Sequence, residues 1–260
     1  MFSSDSDSAS RPRILITNDD GIGAKGLRFL VDCVSDLADV RVVAPDRPRS
    51  GQSGAITSGV PLALTPVANF AGAECYTCNG TPVDCVKLSL HVFPDSRPQL
   101  ILSGINHGSN SGISIFYSGT MGAVLEGCVV GIPAVGFSLL SHDPDADFSV
   151  CRDEVRRLVM QMLQRGLPDG VCLNVNFPLL PARGVRVCRQ ARGYWTEEYE
   201  WRTGADGCEG YFLTGHFVNA EPQADDTDEY FLAHGYVSVV PCTCDQTAYR
   251  AIPLVESLCL

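Results

Sequence analysis

Short apolar runs alternate along the first two thirds of the chain with stretches whose apolar residues recur at helical spacing. Residues 13–18 predict a buried strand, and 24–37 place Leu27, Leu30, Val31, Val34 and Leu37 on one helical face. Residues 40–44 predict a second buried strand, so the three segments make a β-α-β unit with a right-handed crossover and parallel strands. Two weakly alternating segments, 55–67 and 74–78, read as a small antiparallel surface hairpin. Thr81, Pro82 and Asp84 spell a helix start, with cap, first-turn proline and capping-box acid in order, and the helix runs to Val92 or Phe93. A strand at 99–105, a helix opening near Ser118 or Thr120, a strand at 134–140, a helix at 147–165 and a strand at 171–177 continue the alternation. Together they predict an α/β domain with a mostly parallel sheet.

The pattern breaks at Pro178. Residues 185–189, 194–202, 211–218 and 236–240 are short extended pieces with little between them. Isolated hairpins bury too little surface to stand alone, so this arm, about 181–245, is expected to pack on a second subunit. A final helix is expected over 246–260. One domain from residue 13 onward, with its core over about 13–180, accounts for the chain, and the Ser- and Asp-rich residues 1–12 read as a disordered tail.

Composition narrows the function. The net charge of −11 offers no basic stripe for a nucleic-acid polymer. No apolar run approaches the roughly 20 residues of a membrane span, and the first residues lack the apolar centre of a secretory signal, so a cytoplasmic location is expected. The 12 cysteines fall mostly inside apolar strand and helix patterns, which favours buried free thiols over disulfides. Cys75/Cys78 and Cys242/Cys244, with His234 as an extra ligand, have the wrong spacing for a convincing zinc site.

Polar bursts end the predicted strands. Asn18-Asp19-Asp20-Gly21 closes the first, the loop containing Arg49-Ser50-Gly51 follows the second, and Ser103-Gly104-Ile105-Asn106 ends another. The carboxyl ends of parallel strands lie on one edge, so these bursts can converge. Their two carboxylates, hydroxyl and amide carbonyl form a hard oxygen donor set suited to one divalent cation, Mg2+, Mn2+ or Ca2+. Tyr117-Ser118-Gly119-Thr120 adds a helix start, whose free N–H groups and dipole suit phosphate oxygens. Singly, each of these is an ordinary turn or cap; only their joint placement implies phosphoryl chemistry. His107 and His142 are further proton-donor candidates, and Phe116 and Tyr117 read as wall packing beside the site.

A competing pattern is Gly21-x-Gly23-x-x-Gly26 after a strand, with Asp46 at the end of the next strand, as in a nicotinamide-dependent oxidoreductase. Asp19 and Asp20 would then face the dinucleotide pyrophosphate with like charge, which disfavours that reading. A non-catalytic nucleotide-sensing module is the third class.

In family order, Ile14-Leu15-Ile16-Thr17-Asn18-Asp19-Asp20-Gly21, Val42-Val43-Ala44-Pro45-Asp46-Arg47 through Gly51, Gly80-Thr81-Pro82-Val83-Asp84-Cys85-Val86, Ser103-Gly104-Ile105-Asn106, Tyr117-Ser118-Gly119-Thr120 with Glu126-Gly127, and Gly235-Tyr236-Val237-Ser238 span about 13–245. The chain resembles the SurE family of metal-dependent 5′/3′-nucleotidases. The resemblance implies a Rossmann-like three-layer core with an extended carboxyl-terminal β-hairpin arm, and homodimers or homotetramers built through that arm. It implies metal ligands at Asp19, Asp20, Ser50 and Asn106, catalysis by Asp19 and Asp20, and phosphate contacts from Asn106, Ser118, Gly119 and Thr120. The substrates it implies are nucleoside monophosphates, carrying a 5′- and in some members a 3′-phosphate. Departures are the many cysteines, the amino-terminal extension and the segment around Thr203 to Asp226.

Overall fold

The computed structural model describes residues 11–204 and 206–259, so the tail expected over the first residues falls almost wholly outside it. Strands β1 (Arg13–Thr17), β2 (Asp39–Pro45), β3 (Leu64–Pro66), β4 (Glu74–Cys78), β5 (Leu100–His107), β6 (Ala134–Leu139), β7 (Val171–Phe177), β8 (Val185–Val187) and β13 (Val237–Thr243) make one sheet in the order β3-β4-β2-β1-β5-β6-β7-β13-β8. From β4 to β7 every neighbour pair is parallel. The chain steps outward from β1 to β2 and β4, then returns to place β5 on the other side of β1. That reversal is a topological switch point, and in open sheets of this kind ligands bind beyond the carboxyl ends of the strands at such a point.

Both faces of the sheet are covered. Ile14 and Ile16 of β1, with Leu100 and Leu102 of β5, pack under α1 (Lys25–Val34) and α4 (Arg152–Arg165). Leu15 and Ile101 point the other way, under α2 (Pro82–Val92) and α3 (Gly119–Val129). This is the period-2 rule acting on strands buried on both sides, and it explains why they read as continuous apolar runs. Gly26 lets α1 lie against β5, because a β-carbon there would sit 2.0 Å from the Ile105 carbonyl oxygen.

The segment expected as a surface hairpin is part of this sheet. β4 runs parallel to β2, and β3 returns antiparallel along it. Cys75 packs into one core layer and Cys78 into the other, so β4 is covered on both faces and gives only a weak alternation. Facing opposite layers, those two thiols cannot share a metal. A second correction concerns the arm. β13 pairs antiparallel with β7, and β8 joins its far side, so both belong to the central sheet although they were expected beyond the core. What projects is a long hairpin in two ribbons, β9 (Gly193–Thr196) with β12 (His216–Asn219) and β10 (Tyr199–Thr203) with β11 (Glu209–Leu213). Tyr194, Tyr199, Trp201, Tyr211 and Leu213 are exposed along it.

Smaller differences have local causes. The helix expected from residue 147 starts as a 3-10 turn, Phe148–Cys151, because the Asp147 carboxylate accepts from the Ser149 backbone N–H at 2.8 Å and tightens the first turn. The closing helix is shorter than expected, α6 being Ile252–Cys259, after α5 (Asp228–Ala233). Among the described residues no helix is long and apolar enough to cross a membrane.

The start of α2 is a complete capping box: Thr81 Oγ1 accepts from the Asp84 N–H at 3.2 Å and Asp84 Oδ2 accepts from the Thr81 N–H at 2.9 Å. Asp84 also accepts from the Thr57 N–H at 3.1 Å, tying the crossing loop to the helix. We expect Thr81→Ala to lower stability by about 1 kcal/mol, read as a lower urea midpoint with an unchanged slope. An unshifted midpoint would show that the cap contributes nothing.

Candidate active site

Asp19 and Asp20 follow β1 directly, at the switch point. The turn that presents them is closed by their neighbour: Asn18 Nδ2 donates to the Gly21 carbonyl at 3.0 Å, and Asn18 Oδ1 accepts from the Gly21 N–H at 3.2 Å. Gly21 takes φ +94° there, pressed against the Pro45 and Arg47 backbone. Asn18 thus does the work of the turn and leaves both carboxylates free for other partners.

Asp19 is only 4% exposed. Its Oδ1 accepts from Thr120 Oγ1 at 2.6 Å, across 101 positions of sequence. Burial pushes its pKa up to about 6, against the lowering effect of that hydrogen bond; Asp20 beside it adds a further upward push. The balance is as expected, since a hydrogen bond to a charged group contributes ~1.5–3 kcal/mol while desolvating an ion costs several. Asp20 is also raised by burial, opposed by the His107 backbone N–H. Its Oδ2 is buried and has no hydrogen-bond partner.

Other elements bring the remaining expected residues, or their chain neighbours, towards the aspartates. The loop after β2 is tied to Asp19 by the Arg49 N–H, which donates to the Asp19 carbonyl at 2.7 Å, so the exposed Ser50 is one residue from that anchor. Farther on, Ser53 Oγ donates to the Phe116 carbonyl at 2.6 Å and its N–H to the Tyr117 carbonyl at 3.3 Å. Asn106 lies near the end of β5, after a register shift against β6. Its amide nitrogen is committed to the His107 and Gly108 carbonyls at 3.1 and 2.9 Å, leaving Oδ1 as its ligand atom. Ser118 caps α3, its Oγ accepting from the Met121 N–H at 3.0 Å, so the hydroxyl proton stays available to an acceptor. Gly119 packs flat on Asp19: a β-carbon there would lie 2.8 Å from the Asp19 β-carbon.

Two sequence expectations are revised, and the glycine pattern set aside from the sequence has a structural account. Phe116 and Tyr117 are 54% and 56% exposed, so neither is wall packing. His107 turns its ring edge-on to Phe148, with centroids 5.0 Å apart, and serves the site through its backbone instead. The Gly21-x-Gly23-x-x-Gly26 pattern has packing reasons at Gly21 and Gly26, whereas nothing lies near a β-carbon at Gly23.

Polar support not expected from the sequence lies beneath the loop joining Asn106 to Ser118. Asn176 Oδ1 accepts from the Asn110 N–H at 2.8 Å, Asn174 Nδ2 donates to the Asn110 carbonyl at 2.8 Å, and Asn110 Nδ2 donates to Ser138 Oγ at 2.8 Å. Asp228 accepts from the N–H groups of Gly112 and Ala191, each at 2.8 Å. The alternate asparagines Asn174 and Asn176 inside an otherwise apolar strand were the visible signal, because buried amides demand partners.

Among the described residues no three His, Cys, Asp or Glu are grouped so as to hold a metal ion by themselves. A cation here would therefore rest on two carboxylates with hydroxyl, amide and water oxygens, a set that fits a hard divalent ion. The unpartnered buried oxygen of Asp20 and the available oxygen of Asn106 support that fit. On the anion side, α3 begins against Asp19 at Gly119, with Ser118 at its cap, and the first N–H groups of such a helix suit an anion.

Residues 14–197 match the family described as Survival protein SurE. A 5′-nucleotidase SurE of Phocaeicola vulgatus is 49% identical over 240 residues, covering 92% of this chain and 93% of its own. One from Flavobacterium psychrophilum is 47% identical over 252 residues, covering 95% and 98%. The crystal structure of the SurE protein from Aquifex aeolicus shares the fold with a TM-score of 0.80 at 32% identity, covering 95% of this chain and 99% of that one. With the family model matched over most of its length and relatives of nearly half its residues identical, the chain belongs to the SurE family.

Proposed function

We propose that this protein is a 5′-nucleotidase, hydrolysing nucleoside monophosphates to nucleoside and phosphate with one divalent cation per subunit, and that 3′-phosphates are also accepted. The observation that carries the reading is the contact of Asp19 with Thr120 and Gly119, which sets a carboxylate pair against a helix start. The relatives' shared name supplies the substrate class.

Asp19, Asp20, Ser50 and Asn106 would hold the cation. When bound, it supplies positive charge to the phosphoryl oxygens and acidifies water. The chain's own groups do the rest. Thr120 fixes the Asp19 carboxylate, and Asp19 or Asp20 orients the attacking water and takes its proton. The Ser118 hydroxyl and the N–H groups of Gly119 and Thr120 stabilise charge on the equatorial oxygens as the ester bond breaks. Thr120 gives its hydroxyl to Asp19, so its contribution to phosphate is through the backbone. A route through an aspartyl-phosphate is separated from direct attack by water by trapping in single turnover: a phosphoryl-enzyme caught there opposes the water route.

The exposed aromatic residues of the long hairpin are the surface through which we infer a homodimer or homotetramer. Such an assembly would cover Trp201 and Tyr211, whose rings meet at 5.0 Å.

Phosphate release from a panel of nucleoside monophosphates is expected with Mg2+ or Mn2+ and should vanish in EDTA. Asp19→Asn and Asp20→Asn are each expected to cost several orders of magnitude. Mn2+ should raise the melting temperature of the parent, by about 2.7 kcal/mol of stabilisation at a hundredfold excess over Kd, and should not raise that of Asp20→Asn. Retention of most of the rate in either variant would remove the assignment. Nucleotide binding without phosphate release would favour a sensing module, and NADH binding in the same plate would favour the oxidoreductase.

Gly119→Ala forces its methyl into Asp19. We expect kcat to fall about 10²-fold with the melting temperature little changed, because a displacement of about 1 Å at a reacting group has that effect. Parent-like kcat would show that the close approach is irrelevant to the site.

The protein should sediment as a dimer or tetramer, with Trp201→Glu and Tyr211→Glu shifting it towards monomer. A monomeric parent at micromolar concentration would exclude the arm as an interface.

A further inference from the structure

The cysteines, which the proposed activity does not use, are not scattered evenly. Three of them meet at the lower end of α3. Cys128, next to the last residue of that helix, has its Sγ 3.9 Å from the Sγ of Cys244, although 116 positions separate them. Cys172 of β7 lies beside both, fully buried, with its Sγ on the Cys242 carbonyl at 3.7 Å. Cys244 follows β13 directly and is exposed.

Other neighbouring thiols in the described residues lack an exposed member. Cys78 and Cys85 are both buried, as are Cys33 and Cys151, and Cys172 and Cys242, opposite one another on β7 and β13, are buried and half-buried. Cys128 with Cys244 joins a shielded sulfur to an open one. We propose that Cys128 and Cys244 form an oxidisable pair, closed to a disulfide by a peroxide, that staples the carboxyl-terminal segment to α3.

The chemistry balances in two steps. The Cys244 sulfur attacks one peroxide oxygen and the O–O bond breaks, giving a sulfenic acid and one water. The Cys128 sulfur then attacks the sulfenic sulfur, the S–O bond breaks, and the departing hydroxide leaves as a second water with the Cys128 proton. Two thiols lose two electrons and two protons, and the peroxide takes both. Burial raises the pKa of Cys128, which leaves the exposed partner to meet the oxidant first. The sulfurs must approach by about 2 Å to reach a bonding distance of ~2.05 Å, and Cys244 lies in a bend outside the regular ladder, where the backbone can give.

The staple would sit where the last segment leaves the sheet. Beyond it lies α6, with Ile252, Leu254, Val255 and Leu258 exposed. Cys128 is ten residues from the Ser118 cap, about 15 Å along the helix, so the pair is remote from the carboxylates and does not rest on the hydrolytic reading.

The full-length reduced protein, treated with hydrogen peroxide and digested without reductant, is expected to yield one peptide pair joining Cys128 to Cys244, lighter by two hydrogens than the sum of its parts. Cleavage by trypsin after Arg250 should slow severalfold on oxidation and recover with dithiothreitol. Cys244→Ser should abolish both effects at unchanged phosphate release, and Cys172→Ser, which leaves the pair intact, should keep them. Cys128 remaining a free thiol while Cys244 over-oxidises, or linkage to Cys172, Cys242 or a second molecule's Cys259 in its place, would overturn the proposal.

Discussion

The structure turns on the withdrawal of two adjacent carboxylates from water at the point where the sheet reverses direction. Asp19 has one compensating partner, the Thr120 hydroxyl, and Asp20 has an oxygen with none. One hydrogen bond of a few kcal/mol does not offset the desolvation of a carboxylate with another carboxylate beside it. The surrounding fold therefore holds an unfavourable arrangement in place, as sites built for charged ligands commonly do.

Three sets of contacts maintain it. The core below is rigid, since β1 is buried on both faces and paired on both edges. Glycines remove the side chains that would push the elements apart, at Gly26 between α1 and β5 and at Gly119 between α3 and Asp19. Hydrogen bonds to the backbone then moor the loops: the Arg49 N–H to Asp19, Ser53 to the residues ahead of α3, and the side chains of Asn174, Asn176 and Asp228 to the segment between Asn106 and Ser118. Asp228 joins the base of the projecting hairpin to that segment through Ala191 and Gly112, so the hairpin and the site share one anchor.

The same economy separates the two ends of α3. Its start supplies N–H groups and a capping hydroxyl beside Asp19, while its end lies among sulfurs that have no part in phosphate chemistry. A helix of eleven residues is long enough for local change at one end to leave the other undisturbed.

Much of this was legible in the residues alone. The apolar period of 3.6 or 2 gave each β-α step, the Thr81-Pro82-Asp84 cap gave the start of α2, and the polar bursts marked the edge where chemistry collects, because these signals are local and each residue's own geometry dictates them. The sequence could not show that β4 lies inside the sheet, since cysteines covered on both faces leave no alternation to read. Nor could it place β13 beside β7 and β8 beside β13, because strand pairing across some fifty residues or more depends on which edge is free once the rest has folded. The tertiary structure alone decided that Thr120 reaches Asp19, that Phe116 and Tyr117 stand in solvent, and that Cys128 meets Cys244: such contacts join residues whose local sequences carry no mark of one another.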